Sequence, residues 1–239
     1  ELSIGITSAL SGANDLIIGN ALGSSIFKLG LVLGLAALIY PLVIQTSILR
    51  HEIPWLILAA VFLFFLAFDL TISRNDGLIL IILAVGFEWY SIRSARQDLL
   101  LEVGARRVML NRRRPLDHNR AWLKIVLGLL LIILGAKLFV DSSLALAHYA
   151  GLSQLFVGML VVALGTSLPE LVVTILSAVR HQPALGIGNI IGSNVMNIFL
   201  VVGLAALIRP LRIHPDLLIL DFPTLIFFTL LVSLLFKSH

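Results

Sequence analysis

The chain alternates long apolar stretches with short polar segments from end to end. Each apolar stretch has close to the roughly 20 residues that an α-helix needs to cross a hydrocarbon core about 30 Å thick. A transmembrane β-barrel would instead need short segments of alternating apolar and polar residues. The pattern therefore predicts an all-α polytopic membrane protein, with spans at residues 16–39, 54–70, 77–92, 122–146, 155–179, 185–208 and 222–236.

The composition agrees with this prediction. Of the 239 residues, 59% are hydrophobic and 13% are charged, and the mean hydropathy is +1.06. A soluble domain has roughly 45–50% apolar residues. Because the chain contains no cysteine, disulfide frameworks, thiol catalysis and thiolate metal sites are excluded.

Positive charge is concentrated in one loop, although the isoelectric point near 9.9 could suggest nucleic-acid binding. The positive-inside rule places this loop, which forms a linker at residues 96–120, in the cytoplasm. Arg209 and Arg212 then fall on the outer side, against the rule. The charge is thus a topology signal, and it comes from Arg93, Arg96, Arg106, Arg107, Arg112, Arg113, Arg114, Arg120 and Lys124.

An internal repeat becomes visible when Glu170 is laid on Glu1, an offset of 169 residues. GNALGSSIFKLGLVLGLAALIYPL, from Gly19, then aligns without a gap with GNIIGSNVMNIFLVVGLAALIRPL, from Gly188. Apolar helices match by chance at Leu, Ile and Ala, but not easily at Glu, Gly-Asn, Gly-Ser and proline. Internal repeats of this kind mark many secondary transporters, whose substrate sites lie near the bilayer midplane at the repeat interface.

The number of crossings between Glu1 and Glu170 predicts the orientation of the two halves. Four full spans and two half-helices separate these residues, an odd number of crossings, so the halves are expected to be inverted. The predicted organisation is a first repeat at residues 1–95, a cytoplasmic linker at 96–120 and a second repeat at 121–239, all in one membrane domain. By this comparison the complete protein is expected to have ten spans, and the chain to lack the first, half of the second and the last.

ALGTSLPEL, at residues 163–171, places polar groups in the middle of an apolar span. A lone charge there costs about 2.5–3.5 kcal/mol on insertion scales, so Glu170 is expected to face a cavity or a partner. Pro169 should break the helix into two half-helices and free nearby carbonyl groups. Carbonyl, hydroxyl and carboxylate oxygens suit Ca²⁺ and also Na⁺. The alternative is a proline kink, with Glu170 in a buried pair.

The segments GNIIGSN and GNALGSS combine small residues with polar ones. Their glycines and serines let helices approach closely, which by itself is ordinary membrane packing. Asn189, Ser193 and Asn197 are spaced four apart, so they share one helix face. We interpret this polar face as the lining of a cavity, and Asn20 and Ser24 repeat it in the first half.

GTSLPEL followed by GNIIGSNVMN, with EL…GNALGSSIFK in the first half, resembles the two alpha-repeats of the sodium/calcium exchanger family, in its prokaryotic form. The resemblance covers nearly the whole chain. It implies a ten-helix bundle of inverted halves that exchanges Na⁺ for Ca²⁺ by alternating access. The ion ligands that it implies are Glu1, Glu170, Thr166, Ser167, the Ala163 carbonyl, Ser24, Ser193 and, as an uncharged variant of the family pattern, Asn197.

Lys28 departs from the family pattern at the position equivalent to Asn197. It lies four residues after Ser24, so its ammonium should lie near the ion cluster, facing Glu170 from the other repeat. Three outcomes are open: Lys28 loses its proton when a cation enters, it occupies one Na⁺ site permanently, or it snorkels away. The first implies coupling to H⁺ and the second an altered stoichiometry.

The sequence as a whole predicts an antiporter that exchanges Na⁺ for Ca²⁺ in the plasma membrane of a prokaryote. No arrangement typical of an enzyme is present, and no cofactor is expected beyond the transported ions. The alternatives are a proton-coupled or altered-stoichiometry cation antiporter, and a non-transporting membrane scaffold or cation sensor.

Overall fold

A computed structural model describes residues 1–41, 50–105 and 118–237, and these are mainly helical. Two short strands, β1 (Thr71–Ile72) and β2 (Leu211–Arg212), pair with each other. The helices are α1 (Leu2–Ser11), α2 (Asn14–Ile39), α3 (Ile53–Leu66), α4 (Arg74–Ala105), α5 (His118–Ala150), α6 (Gln154–Val179), α7 (Pro183–Ile208), α8 (Pro215–Ile219) and α9 (Asp221–Lys237).

The helices confirm the prediction of an all-α polytopic membrane protein. Among the described residues, α2, α4, α6, α7 and the α8–α9 segment are long and apolar enough to cross a membrane. The span predicted at 122–146 lies within α5. The span predicted at 54–70 is shorter than expected, because α3 ends at Leu66 and the chain turns through Leu70, which has a φ of 64°.

The two central helices, α2 and α7, have bounds that differ by the repeat offset of 169 residues. Each contains one π-helical segment, which begins at Lys28 in α2 and at Asn197 in α7. The packing is also exchanged between the halves, since α1 contacts the end of α7 and α6 contacts the end of α2. The offset therefore relates the local structure of the two halves as well as their sequences.

The pairing of β1 with β2 is relevant to the orientation of the halves. The strands are antiparallel, with Thr71 opposite Arg212, and they follow the ends of α3 and α7 respectively. The ends of α3 and α7 are therefore on the same side of the bundle. If α3 crosses the bilayer, the ends of α2 and α7 lie on opposite sides, which is the arrangement that inverted halves require; the inversion itself stays a prediction.

The helix that carries ALGTSLPEL is not interrupted at Pro169, so the prediction of two half-helices at this position is wrong. The α-helical part of α6 runs continuously from Ala163 to Val179. Proline removes one backbone hydrogen bond, but the helix continues on both sides of it. The irregularity lies upstream, in a π-helical segment at Gly158–Val162. Such segments widen a helix by one residue and occur frequently at functional sites.

Helices α2 and α6 cross in backbone contact, and this crossing positions the polar residues. A Cβ atom at Gly23 would lie 2.8 Å from the Cα of Met159, and one at Gly158 would lie 3.0 Å from the Cα of Leu16. Only glycine allows so close an approach, as the small-residue motifs predicted. Gly192, the repeat equivalent of Gly23, has no described neighbour within 4 Å of its Cβ position.

Candidate cation-binding site

Helices α1, α2, α6 and α7 bring the predicted site residues together in three groups of polar contacts. One group surrounds Lys28, one joins Asn197 to Ser24, and one joins Thr166 to Asn20. These side chains come from both halves of the chain, as the repeat interface predicted.

The ammonium of Lys28 is enclosed by three acceptors. Its Nζ donates to Oε1 of Glu1 at 3.1 Å, to Oε2 of Glu1 at 3.3 Å and to Oγ of Ser193 at 3.3 Å. The side chain of Lys28 is 0% exposed and that of Glu1 is 10% exposed. Snorkelling is therefore contradicted. The ion pair is with Glu1 of the same half, whereas the sequence predicted only that the ammonium would lie near the ion cluster and face Glu170.

Asn197 occupies the position equivalent to Lys28 but makes different contacts. Its Nδ2 donates to Oγ of Ser24 at 2.8 Å and to the carbonyl oxygen of Ala21 at 3.4 Å. The two predicted ligands Asn197 and Ser24 therefore meet across the repeat interface. An amide here bridges α7 to α2, whereas the ammonium in the other half neutralises a carboxylate.

Thr166 links α6 to α2. Its Oγ1 lies 3.0 Å from Oδ1 of Asn20 and 3.2 Å from the carbonyl oxygen of Ala163, both of which can accept from it. Asn20 was predicted to line a cavity but was not included among the ligands, although its place in GNALGSS was the available signal. Asn189, its repeat equivalent, is exposed among the described residues, and its place in a cavity lining stays a prediction.

Three buried oxygen atoms of the predicted ligands have no hydrogen-bond partner among the described residues, and we call them the unpaired site oxygens. They are Oε2 of Glu170, Oγ of Ser167 and Oδ1 of Asn197. Ser167 and Asn197 are 0% and 1% exposed. Leaving a buried polar atom unpaired costs about 1–3 kcal/mol, so each such atom requires an explanation. Carboxylate, hydroxyl and amide oxygens are the ligands that Na⁺ and Ca²⁺ accept.

The charge of the site is determined by three side chains. Glu1 and Lys28 cancel each other, because they form an ion pair, and Glu170 contributes one negative charge. No group of three or more His, Cys, Asp or Glu side chains that could hold a metal ion occurs within residues 1–41, 50–105 and 118–237. Any cation bound here must therefore rely on neutral oxygens in addition to Glu170.

A cavity of about 280 Å³ lies beside this site. Side chains of α1, α5 and α6 line it, including Glu1, Phe139 and Thr166. The cavity accounts for the small exposure of the Glu1 side chain.

Buried carboxylate, hydroxyl and amide oxygens on the membrane helices α6 and α7 are typical of cation transporters. Residues 1–93 and 120–238 match the family described as "Sodium/calcium exchanger protein". The chain belongs to this family, as the resemblance of its motifs predicted. Members of the family are transporters, which confirms that the chain is not an enzyme, and the chain is accordingly a cation antiporter.

Individual relatives support the same assignment. The chain is 34% identical to the inner membrane protein YrbG of Escherichia coli over 237 residues. This alignment covers 98% of the chain and 73% of YrbG. It is 29% identical to the sodium/calcium exchanger MaX1 of Methanosarcina acetivorans over 271 residues. This alignment covers 100% of the chain and 77% of MaX1. A solved structure of the sodium-calcium exchanger NCX_Mj, soaked with Na⁺ and Sr²⁺, superposes with a TM-score of 0.68 at 27% identity, over 100% of the chain and 77% of that structure.

Proposed function

We propose that this protein exchanges Na⁺ for Ca²⁺ across a membrane by alternating access, with the transported cation bound between α2, α6 and α7. The observation that carries the proposal is the set of unpaired site oxygens on Glu170, Ser167 and Asn197. A cation in contact with them would replace the hydrogen bonds that these atoms lack. The names of the relatives MaX1 and NCX_Mj support Na⁺ and Ca²⁺ as the ions.

The ligand roles follow from the contacts of each residue. Glu170 supplies negative charge, while Ser167 and Asn197 supply neutral oxygens, which cost less to strip of water than a charged group does. The Oγ atoms of Ser24 and Ser193 accept hydrogen bonds from Asn197 and Lys28, and each keeps a further lone pair for a cation. Thr166 donates a hydrogen bond to the Ala163 carbonyl, and each of the two oxygens keeps a lone pair for a cation.

Alternating access requires that the site be reached from one side of the membrane at a time. The ligands are on the central helices α2 and α7, which are the most buried spans, and on α6, which exposes much of its surface. Sliding or rocking of the outer helices against α2 and α7 would open either side without dismantling the ligand set. We place the protein in the plasma membrane of a prokaryote, with the linker 96–120 in the cytoplasm, because the relatives named above are prokaryotic.

Flux measurements test the proposal. In vesicles that contain the purified complete protein, an imposed Na⁺ gradient should drive uptake of radioactive Ca²⁺. Glu170→Gln should reduce this uptake by about 100-fold, because it removes the charge that binds the ion. Glu88→Gln is the matched control, because it makes the same chemical change at an exposed carboxylate of α4 outside the site, and it should retain full uptake.

Two results would contradict the proposal. Uptake that survives Glu170→Gln would remove Glu170 from the site. Absence of Na⁺-driven uptake in a folded natural protein that still binds Ca²⁺ would favour a scaffold or sensor in place of an exchanger.

A further inference from the structure

We propose that the ammonium of Lys28 is a tethered cation that permanently takes the place of one transported cation at Glu1. The exchanger would then move one Na⁺ fewer per Ca²⁺ than a site with two free carboxylates. This inference rests on the proposed function and adds the stoichiometry of the same site.

The contacts of Lys28 are those of a cation in a binding site. An ammonium has three N–H donors, and Lys28 has three acceptors between 3.1 and 3.3 Å, two on Glu1 and one on Ser193. These three acceptor atoms belong to Glu1 and Ser193, two of the residues that the sequence predicted as ion ligands. Because the side chain is 0% exposed, water does not compete for the ammonium.

A mobile cation at Glu1 is excluded while these contacts persist. Both carboxylate oxygens of Glu1 are engaged by the same Nζ atom. A Ca²⁺ ion would need oxygen ligands at about 2.3–2.6 Å, inside the space that the ammonium fills. The ammonium cannot leave with solvent, because it is covalently attached to α2, so the Glu1 half of the site stays occupied throughout the cycle.

The second half of the site shows what the ammonium changes. Asn197 starts a π-helical segment as Lys28 does, but its amide bonds to Ser24 and Ala21 and leaves Glu170 with an unpaired oxygen. The described structure therefore has one satisfied carboxylate and one available carboxylate at equivalent positions. The transported ions are left to Glu170, Ser167 and Asn197.

Formal charges give the same result. With Glu1, Glu170 and Lys28 ionised, the empty site carries one negative charge, whereas two acids without the lysine would carry two. Neutrality is therefore reached with one monovalent cation fewer. An excess of positive charge in a medium of low dielectric constant is strongly unfavourable, so the number of bound Na⁺ ions should fall accordingly.

A purely structural role for Lys28 is the competing explanation, since the ion pair also holds α1 against α2 and α7. The two explanations differ in measurable ways. A structural pair affects stability but leaves the number of Na⁺ ions per Ca²⁺ unchanged, whereas a tethered cation changes that number when it is removed.

The coupling ratio decides between them. It is obtained in vesicles from the Na⁺ gradient that balances a fixed Ca²⁺ gradient at a clamped membrane potential. Lys28→Asn, which introduces the residue found at position 197, should raise the ratio by one Na⁺ per Ca²⁺. Lys28→Arg, which keeps the charge, should leave the ratio at the natural value. Equal ratios in the natural protein and Lys28→Asn would overturn the proposal.

A double variant covers the case in which Lys28→Asn does not fold. Glu1→Gln combined with Lys28→Met removes both charges of the pair and keeps similar volumes. Because one positive and one negative charge are removed together, the net charge of the site is unchanged, and the exchange measured in the double variant should run at the natural ratio. A ratio raised by one Na⁺ per Ca²⁺ in the double variant would overturn the proposal. If the natural protein itself shows no Na⁺-driven Ca²⁺ flux, the proposed function fails together with this inference; flux with equal ratios removes the inference alone.

Discussion

Replacing Gly23 by alanine tests the backbone contact between α2 and α6. The added methyl group would lie 2.8 Å from the Cα of Met159 and 3.0 Å from the Cβ of Ala163. Ordinary van der Waals contact begins at about 3.4 Å, so the helices would have to move apart by roughly half an ångström or more. The neighbouring atoms belong to the backbone of α6 and to a short side chain, and neither can rotate out of the way.

The expected cost follows from this geometry. Overpacking a close contact costs about 1–3 kcal/mol, which corresponds to roughly a 5- to 150-fold change in the ratio of folded to unfolded protein. On the scaling of soluble domains with about 150–250 residues, this is a fall in Tm of about 2–12 °C. Transport should fall as well, because the hydrogen bond between Thr166 and Asn20 spans the same crossing.

Gly86→Ala is the control, since Gly86 also lies inside a membrane helix, α4. A Cβ atom at Gly86 would meet Trp55 at an ordinary contact distance of 3.8 Å. Alanine is preferred to glycine inside a helix by up to about 1 kcal/mol, so this variant should be as stable as the natural protein or more stable. The difference in unfolding temperature is measured on the purified proteins in one detergent, with size-exclusion chromatography used to detect unfolding after heating.

Two outcomes would refute the reasoning. If Gly23→Ala unfolds at or above the temperature of the natural protein, the two backbones are not in contact at Gly23. If Gly86→Ala is destabilised as much as Gly23→Ala, the loss comes from replacing glycine in a membrane helix in general, and the backbone contact at Gly23 is not its cause.

Two further predictions concern single side chains. Ser167→Ala should weaken Ca²⁺ binding by about tenfold and leave the unfolding temperature unchanged or higher. The reason is that it removes a buried hydroxyl that has no hydrogen-bond partner in the described part of the chain. A loss of stability without a loss of affinity, measured by isothermal titration, would contradict this. Burial raises the pKa of the Glu52 carboxyl above its ordinary value of 4.5. The contribution of neutral Glu52 to stability is therefore present below pH 4.5 and is lost as the pH rises through the raised pKa. Glu52→Gln should gain stability relative to the natural protein over that interval, and parallel Tm profiles of the two proteins would disprove the assignment.

The apolar pattern was sufficient to predict most spans, because a membrane helix must satisfy its backbone internally and needs a nearly fixed length. The π-helical segments at Lys28 and Asn197 were not predicted. One additional residue rotates the following turns by about 100° about the helix axis. Where residues on every face of the helix are apolar, this rotation does not change the pattern of apolar and polar residues in the sequence. The continuous helix at Pro169 was missed because proline removes a single hydrogen bond, and the surrounding turns are sufficient to keep the helix intact.

The candidate site was predictable as a set of residues but not as a set of pairs. Spacing of four residues placed Ser24 and Lys28 on one face, and the repeat placed Ser193 opposite them. The sequence could not show which carboxylate the ammonium of Lys28 contacts, because that depends on how α1 and α6 pack around α2. Of the three outcomes foreseen for Lys28, its burial contradicts snorkelling, and the other two stay predictions that the coupling ratio and imposed pH gradients can test.

The equivalent π-helical segments place Lys28 and Asn197 at the same irregular turn of the backbone. Residues 19–42 and 188–211 align without any gap, so the two residues are related by the repeat offset alone. The two halves therefore differ at this turn in the side chain and its charge, and not in the path of the helix. A single substitution at position 28 is accordingly enough to give both halves the same chemistry at this turn.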